Sequence, residues 1–328
     1  MTDVDSKAVT VMTSSSPART ARPRRSSFWK DLKQYTPMLI MLAPAVIWFL
    51  IFSYIPMTGI ILAFKQFNYR LGIFGSPWNG LTNYRFFFIG GAAWRITRNT
   101  LLYNLAFIVF GNIMQLAVAI SLSEMTRMFY KKLTQSIIFL PYFISWVLVG
   151  GFVFALFNRD SGMYSNFVAS LGLTKPDIYG SPNTWPVLIV LIQCWKGLGY
   201  GSVIYLAAIT SIDPSLNEAA LIDGANIFQV IRHVTLPCLR GTVVTLVLLR
   251  IGGIFRGDFQ MFYQLTGNNG LLYRTTDVID TYVMRSLLTN SDYGMAAAAG
   301  TYQSIFGFIT VLIFNGITKK VERDYALV

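Results

Sequence analysis

Glu218, Ala219, Ala220, Asp223, Gly224, Phe228, Leu236 and Pro237 fall within one twenty-residue stretch between two long apolar segments. Their chemistry is that of docking rather than of bond breaking. Asp213-Pro214 predicts a helix start, since Asp accepts an orphan N–H and Pro suits the first helical position. No helix breaker follows from Ser215 to Ile222. Gly224 can take the positive φ that ends a helix and reverses the chain. Asn226 then caps a second short helix through Ile231, and Pro237 closes the unit ahead of the next apolar segment. The expected product is a compact helix–turn–helix over 212–238 presenting Leu216, Ile222, Ile227 and Phe228. Exposed apolar surface of that kind marks an interaction site. Ala219 and Ala220 let another backbone come close, and Glu218 can pair with a basic group of a partner.

Catalytic chemistry is poorly supplied. His233 is the sole histidine, which removes multi-His zinc sites and argues against a Ser-His-Asp triad. No Gly-Lys dipeptide occurs, so the phosphate-cradling G-x-x-x-x-G-K-[ST] loop is absent. No Ser has Gly at both −2 and +2, the nucleophile-elbow pattern. Cys194 and Cys238 are far apart and form no C-x-x-C pair. Asp277 and Asp280 are close in sequence and are expected in a solvated outer loop. No cofactor or metal is therefore expected in this chain.

A second group has the chemistry of saccharide contact. Sugars present hydroxyls around apolar C–H faces, which aromatic rings and amides match. Tyr142, Trp146, Gln193, Trp195, Tyr200, Gln260 and Tyr263 supply those groups within apolar segments. Lipid-facing, belt or packing roles are the competing reading for each. Arg250, counted from Pro237 at about 1.5 Å per residue, is expected near mid-membrane and paired inside the bundle. A structural pair and a gating role both fit it.

The elements that must position these residues are membrane helices. Of 328 residues, 54% are hydrophobic and 13% charged, with mean hydropathy +0.50, well below the quarter of charged residues usual in soluble domains. Six candidate spans are read at about 38–64, 100–123, 136–157, 186–209, 240–265 and 296–318, each near bilayer length. Arg250, Arg256 and Asp258 interrupt the fifth. The net charge is +12, and seven of the Lys and Arg residues lie in a Ser/Thr/Pro-rich stretch over 1–35, read as a disordered basic tail attracted to anionic lipid rather than to nucleic acid. Residues 36–328 form the spanning domain. Six spans place both termini on one side, and 15 of 27 Lys and Arg residues then share it, so both termini are expected to be cytoplasmic.

The run Glu218-Ala-Ala-x3-Gly224-x9-Val234-x-Leu236-Pro237 resembles the EAA loop of bacterial ABC-importer permeases. Phe64–Tyr69, Gly75-Ser76-Pro77-Trp78, Asn83-Tyr84, Arg98-Asn99-Thr100, Leu140–Phe143 and the ending Glu322–Ala326 are similar to the sugar-importing branch, and most of all to LplB-type permeases. Val234 stands where Ile is usual and Gly241 where Pro is frequent. The resemblance implies an all-α permease of the type I importer fold in the bacterial inner membrane. It further implies a second permease subunit in a heterodimer, an ABC ATPase dimer binding ATP and Mg, an extracytoplasmic solute-binding protein, and a carbohydrate cargo, most specifically an oligosaccharide. It makes Glu218, Ala219, Ala220, Asp223, Gly224, Phe228, Leu236 and Pro237 the ATPase-coupling residues. Two alternatives stand beside it: an ion-coupled secondary transporter, which normally shows an internal repeat and intramembrane carboxylates, and an intramembrane enzyme, which needs clustered His, Asp or Glu.

Overall fold

The computed structural model describes residues 35–321, excluding the side chains of residues 86, 87 and 321. All of the basic tail but Tyr35, and the ending 322–328, lie outside the described residues. Among the described residues there is no strand, only an isolated antiparallel bridge between Lys65 and Trp78.

The chain divides into two compact units at Thr58. Within the first, α1 (Thr36–Phe49) continues through a π-helical turn, Leu50–Tyr54, into Ile55–Met57. The second contains the long helix α2 (Ala92–Ser123), then α3 (Met128–Phe143) and α4 (Trp146–Phe157), and α5 (Trp185–Thr210). A hairpin of α6 (Pro214–Ile222) and α7 (Ile227–Val230) leads through a π segment, Ile231–Thr235, into α8 (Leu236–Ile251). Helices α9 (Phe259–Thr266) and α10 (Ile279–Leu288) precede the last long helix, α11 (Tyr293–Val321). Five helical runs are long and apolar enough to span: Thr36–Phe64, Ala92–Ser123, Trp185–Thr210, Ile227–Ile251 and Tyr293–Lys320; α3 and α4 together make a sixth if taken as one span.

Three expectations change. The third span is not straight: α3 and α4 meet at a 95° bend. Pro141 sits in the last turn of α3, Ile144 is extended, and Ser145 starts α4 by accepting from the Leu148 N–H. The carbonyls freed at the break are met by Lys196 of α5, whose Nζ donates to those of Pro141, Tyr142 and Ile144. The fifth span is displaced, running over Ile227–Ile251 instead of 240–265. Its interrupting charges mark its true end: Arg250 lies in the last turn, and Asp258 caps α9 by accepting from the Met261 N–H at 3.0 Å. Pro237 does not close the hairpin, because the helix runs through it as the second residue of α8. Proline in a helix normally clashes with the carbonyl four residues back; the wider π turn just ahead of it is a common accommodation.

The helices pack through small residues and buried polar bonds. Gly199 of α5 lies so close to α3 that an added Cβ would be 2.5 Å from the Ile138 carbonyl oxygen. Tyr205 Oη donates to Asn112 Oδ1 at 2.7 Å, and Gln115 Nε2 donates to the Gly197 carbonyl at 3.0 Å, both joining α5 to α2. Interhelical bonds of this sort average only about 0.6 kcal/mol within membranes, so close packing carries most of that contact. One apolar core joins Tyr103, Phe107, Val149, Trp185 and Phe262. Another joins Ile96, Ile251, Phe255, Ile279 and Ala299.

Candidate functional site

The hairpin between the fourth and fifth spans is assembled almost wholly from local signals. Asp213 Oδ1 accepts the Ser215 N–H at 2.9 Å, and that hydrogen bond holds the carboxyl below its ordinary pKa. No residue of α6 is buried. The helix ends as the Asp223 N–H reaches the Ala219 carbonyl at 3.0 Å, and Gly224 reverses the chain at φ 80°. A side chain there would meet no neighbour, so the demand for glycine is one of backbone conformation. Asn226 and Gln229 then form a reciprocal capping box, at 2.7 and 3.0 Å.

What the hairpin shows to its surroundings is apolar. Ile222 is 85% and Phe228 79% exposed, and Leu216, Leu221 and Ile227 are exposed beside them. Glu218, Ala219, Asp223, Leu236 and Pro237 are exposed as well, and Ala220 is half-buried. Of the expected docking residues, Glu218, Ala219, Ala220, Asp223, Gly224 and Phe228 therefore share the hairpin, whereas Leu236 and Pro237 open α8. Among the described residues Glu218 has no ion-pair partner.

The saccharide-contact group is only partly brought together. Tyr142 and Tyr200 stack with centroids 4.9 Å apart, across α3 and α5. Lys196 lies 5.2 Å from the Trp146 ring and 5.9 Å from that of Tyr142. Trp146 Nε1 donates to Asp258 Oδ2 at 2.8 Å. Lysine has three donors, and Lys196 directs them at the three carbonyls of the α3–α4 break. Its cation therefore staples the bend beside the rings of Tyr142 and Trp146. Gln260 is exposed on α9; Tyr263 packs on Phe259 and lines a different cleft, with Tyr273 and Arg285. Gln193 and Trp195 do not join the stacked cluster among the described residues. Arg250 is exposed and forms no ion pair with the described residues, contrary to the expected pairing inside the bundle.

Sequence reasoning missed the most heavily bonded polar centre. The Asp277 side chain is fully buried rather than solvated. Arg285 grips it with two bonds of 3.0 and 2.7 Å, Arg95 approaches to 3.5 Å, and Thr281 donates at 2.9 Å. Burial works against the Arg285 charge, but the Asp277 hydrogen bonds and charge outweigh it and hold the guanidinium pKa above its usual value. Asn99 donates to the Asp277 carbonyl and Thr100 accepts from the Ile279 N–H, both at 3.0 Å. The centre therefore ties α2 to α10. Asp280 is bonded too, accepting from the Gly257 N–H and from Gln303. The available signal was the pairing of Arg95 and Arg285 with an acid in an otherwise apolar chain, but nothing local joined them.

A family model described as binding-protein-dependent transport system inner membrane component matches residues 108–323. The chain is 33% identical over 298 residues to protein LplB of Bacillus subtilis (strain 168), covering 91% of this chain and 93% of LplB. It is 32% identical over 304 residues to the polygalacturonan/rhamnogalacturonan transport system permease protein YteP of the same organism, covering 92% and 94%. A crystal structure of a bacterial ABC transporter involved in import of the acidic polysaccharide alginate matches at TM-score 0.81 and 34% identity, over 90% of this chain and 99% of that one. A bacterial alginate ABC transporter in complex with an alginate pentasaccharide-bound periplasmic protein also matches at TM-score 0.81, with 33% identity over 90% and 98%.

Proposed function

We propose a role that proceeds from one premise: this chain belongs to the family of binding-protein-dependent transport system inner membrane components. It is a non-catalytic permease subunit of an ABC importer, and that membership sets aside both the secondary-transporter and the intramembrane-enzyme readings. Beyond the premise, the proposed role is half of a translocation pathway, completed by a second permease, with both termini in the cytoplasm. The segment 212–238 seats in an ATPase dimer that binds ATP and Mg. The observation that carries this is the hairpin itself, capped at both of its helices yet leaving Ile222 and Phe228 exposed. ATP and the loaded binding protein each bind the outward-facing state more tightly, and that differential affinity drives the alternation. The hairpin transmits closure of the ATPases to the spans.

The proposed cargo is an oligosaccharide bearing carboxylates. The substrates named for YteP and for the alginate importer support it, as does exposed, unpaired Arg250 at the end of α8. Purification from native membranes in mild detergent, with mass spectrometry, should return a P-loop ATPase and a second six-span permease in comparable amounts. A solitary chain, from an extract that preserves other ABC complexes, would overturn the coupling role. Uptake by the reconstituted complex should favour uronate oligosaccharides over neutral ones, and Arg250→Gln should narrow the difference. Equal uptake of both would remove the acidic cargo while leaving the coupling role standing.

A further inference from the structure

Two cavities of the second unit share a wall. One, of about 200 Å³, has Arg98, Asn99 and Thr275 at its mouth and Leu102 and Ala106 along its side. The other, of about 400 Å³, is bounded by Phe110, Met114, Val187, Leu191 and Cys194 and offers no polar surface. Pro186 and Val190 border both, so the two make one groove between α2 and α5.

The α2 side of the groove is a single row at four-residue spacing: Arg98, Leu102, Ala106, Phe110, Met114. Residues four apart are neighbours on a helix surface, so the row follows α2 as a shallow spiral, and Trp94, one step beyond Arg98, is 73% exposed. At 1.5 Å per residue, Leu102 to Met114 covers about 18 Å. Half of a 30 Å hydrocarbon core is about 15 Å. The apolar part of the groove therefore matches the depth of one leaflet, with a cation at its head and a tryptophan at the level where interfacial aromatics gather. Arg274 borders the mouth through its backbone, its carbonyl accepting from Asn99 at 3.3 Å on the turn Tyr273–Thr276, and the residue is exposed. Among the described residues neither Arg98 nor Arg274 is in an ion pair.

We propose that this groove is a lipid seat holding one acyl chain of an anionic glycerophospholipid, with its phosphate drawn to Arg98 and Arg274. The polarity gradient and the unpaired charge select that occupant over a protein helix, which would bring apolar surface but no counter-charge. The proposal requires only that the chain cross a membrane, and stands apart from cargo and coupling.

The test is native mass spectrometry of the complex as purified, equilibrated with equal phosphatidylglycerol and phosphatidylcholine. Phosphatidylglycerol adducts should dominate, and Arg98→Gln and Arg274→Gln should each lower that preference about fivefold. Ala106→Trp, which fills the groove, should abolish the adduct, whereas Leu105→Trp at the adjacent exposed position should spare it. Should Ala106→Trp not fold, the two arginine variants alter exposed side chains only and still decide. Equal adducts of the two lipids, or a preference untouched by the arginine variants, would overturn the proposal. So would a cross-link to the accompanying permease from Ala106→Cys carrying a thiol-attached photoactivatable group, since a helix would then fill the groove.

Discussion

The α6–α7 hairpin precedes α8 and the Asp277 centre follows it, and they are bonded in contrasting ways. In the hairpin each side-chain bond spans two to four residues, and no residue of α6 is buried. At Asp277 the partners lie 182 and 8 residues away, and the carboxylate is sealed from solvent. A segment that caps itself and leaves its apolar face open holds its shape while waiting for another protein. A segment whose charges are satisfied from distant helices closes the fold upon itself. On the proposed function, the contrast separates a part of the molecule concerned with assembly from one concerned with integrity, and substitutions should divide along the same line.

The largest effect is expected at Asp277. Asp277→Ala leaves the partly buried guanidinium of Arg285 without its carboxylate, and breaking a buried pair from one side costs up to about 3–5 kcal/mol. Thermal melting in detergent should fall steeply, or the chain should fail to accumulate. A variant melting like the wild type would remove the distinction between the two regions. Next is Gly224→Val, which forces a β-branched residue to φ 80° at about 1–3 kcal/mol of local strain. Its consequence should be lost co-purification of the ATPase and lost transport, with the spans still folded. Glu218→Lys, on an exposed side chain, should shift stability by less than about 0.5 kcal/mol while also weakening ATPase capture. Normal transport by both, at normal expression, would end the docking assignment.

That division also explains what could be read from the chain alone. Asp213-Pro214, Gly224 and Asn226 act on backbone within a few residues, so their meaning survives without a fold, and the hairpin emerged where they put it. The Asp277 centre needs α2 and α10 to be packed before its arginines and its acid share a site, and no spacing announces that. The fifth span failed for a related reason. Phe259, Met261, Phe262 and Leu265 keep an apolar character in Phe259–Thr266, but this segment packs beside α4 as a separate helix, sharing a core through Val149, Val153 and Phe262. Gly252, Gly253 and Asp258 carried the true boundary, and Asp258 now caps the next helix. Pro141 signalled an interruption in the third span, whereas the carbonyls at its 95° bend accept from Lys196 of another helix, a partner that no local spacing announces.

A smaller effect should sharpen the account of the hairpin. Asn226→Ala removes one half of the capping box, a loss of about 1 kcal/mol for an N-cap. Because few contacts hold the hairpin otherwise, the loss should stay local. Hydrogen exchange should accelerate over 226–231 and leave α2 and α5 unchanged. Acceleration spread through α2 and α5 would mean that the hairpin is braced by the bundle after all.

The smallest effect distinguishes Asp277 and Asp280, two acids that lie three residues apart. Asp277 faces two arginines, whereas Asp280 accepts bonds from the Gly257 N–H and from the neutral amide of Gln303. Burial raises the Asp280 pKa above its ordinary 3.8, an effect that those hydrogen bonds and the charge of Arg256 offset only in part. A raised carboxylate binds more protons folded than unfolded, so its contribution to stability is most favourable at low pH and declines as pH rises through the shifted range. Asp280→Asn keeps an acceptor for Gly257 and removes the charge. Its melting temperature should match or slightly exceed that of the wild type near neutrality, and the decline between the ordinary carboxylate range and neutrality should flatten. The opposite slope, with stability gained as pH rises and lost in Asp280→Asn, would show that Asp280 folds as a favourably paired carboxylate. It would then belong with Asp277 in a single charged centre.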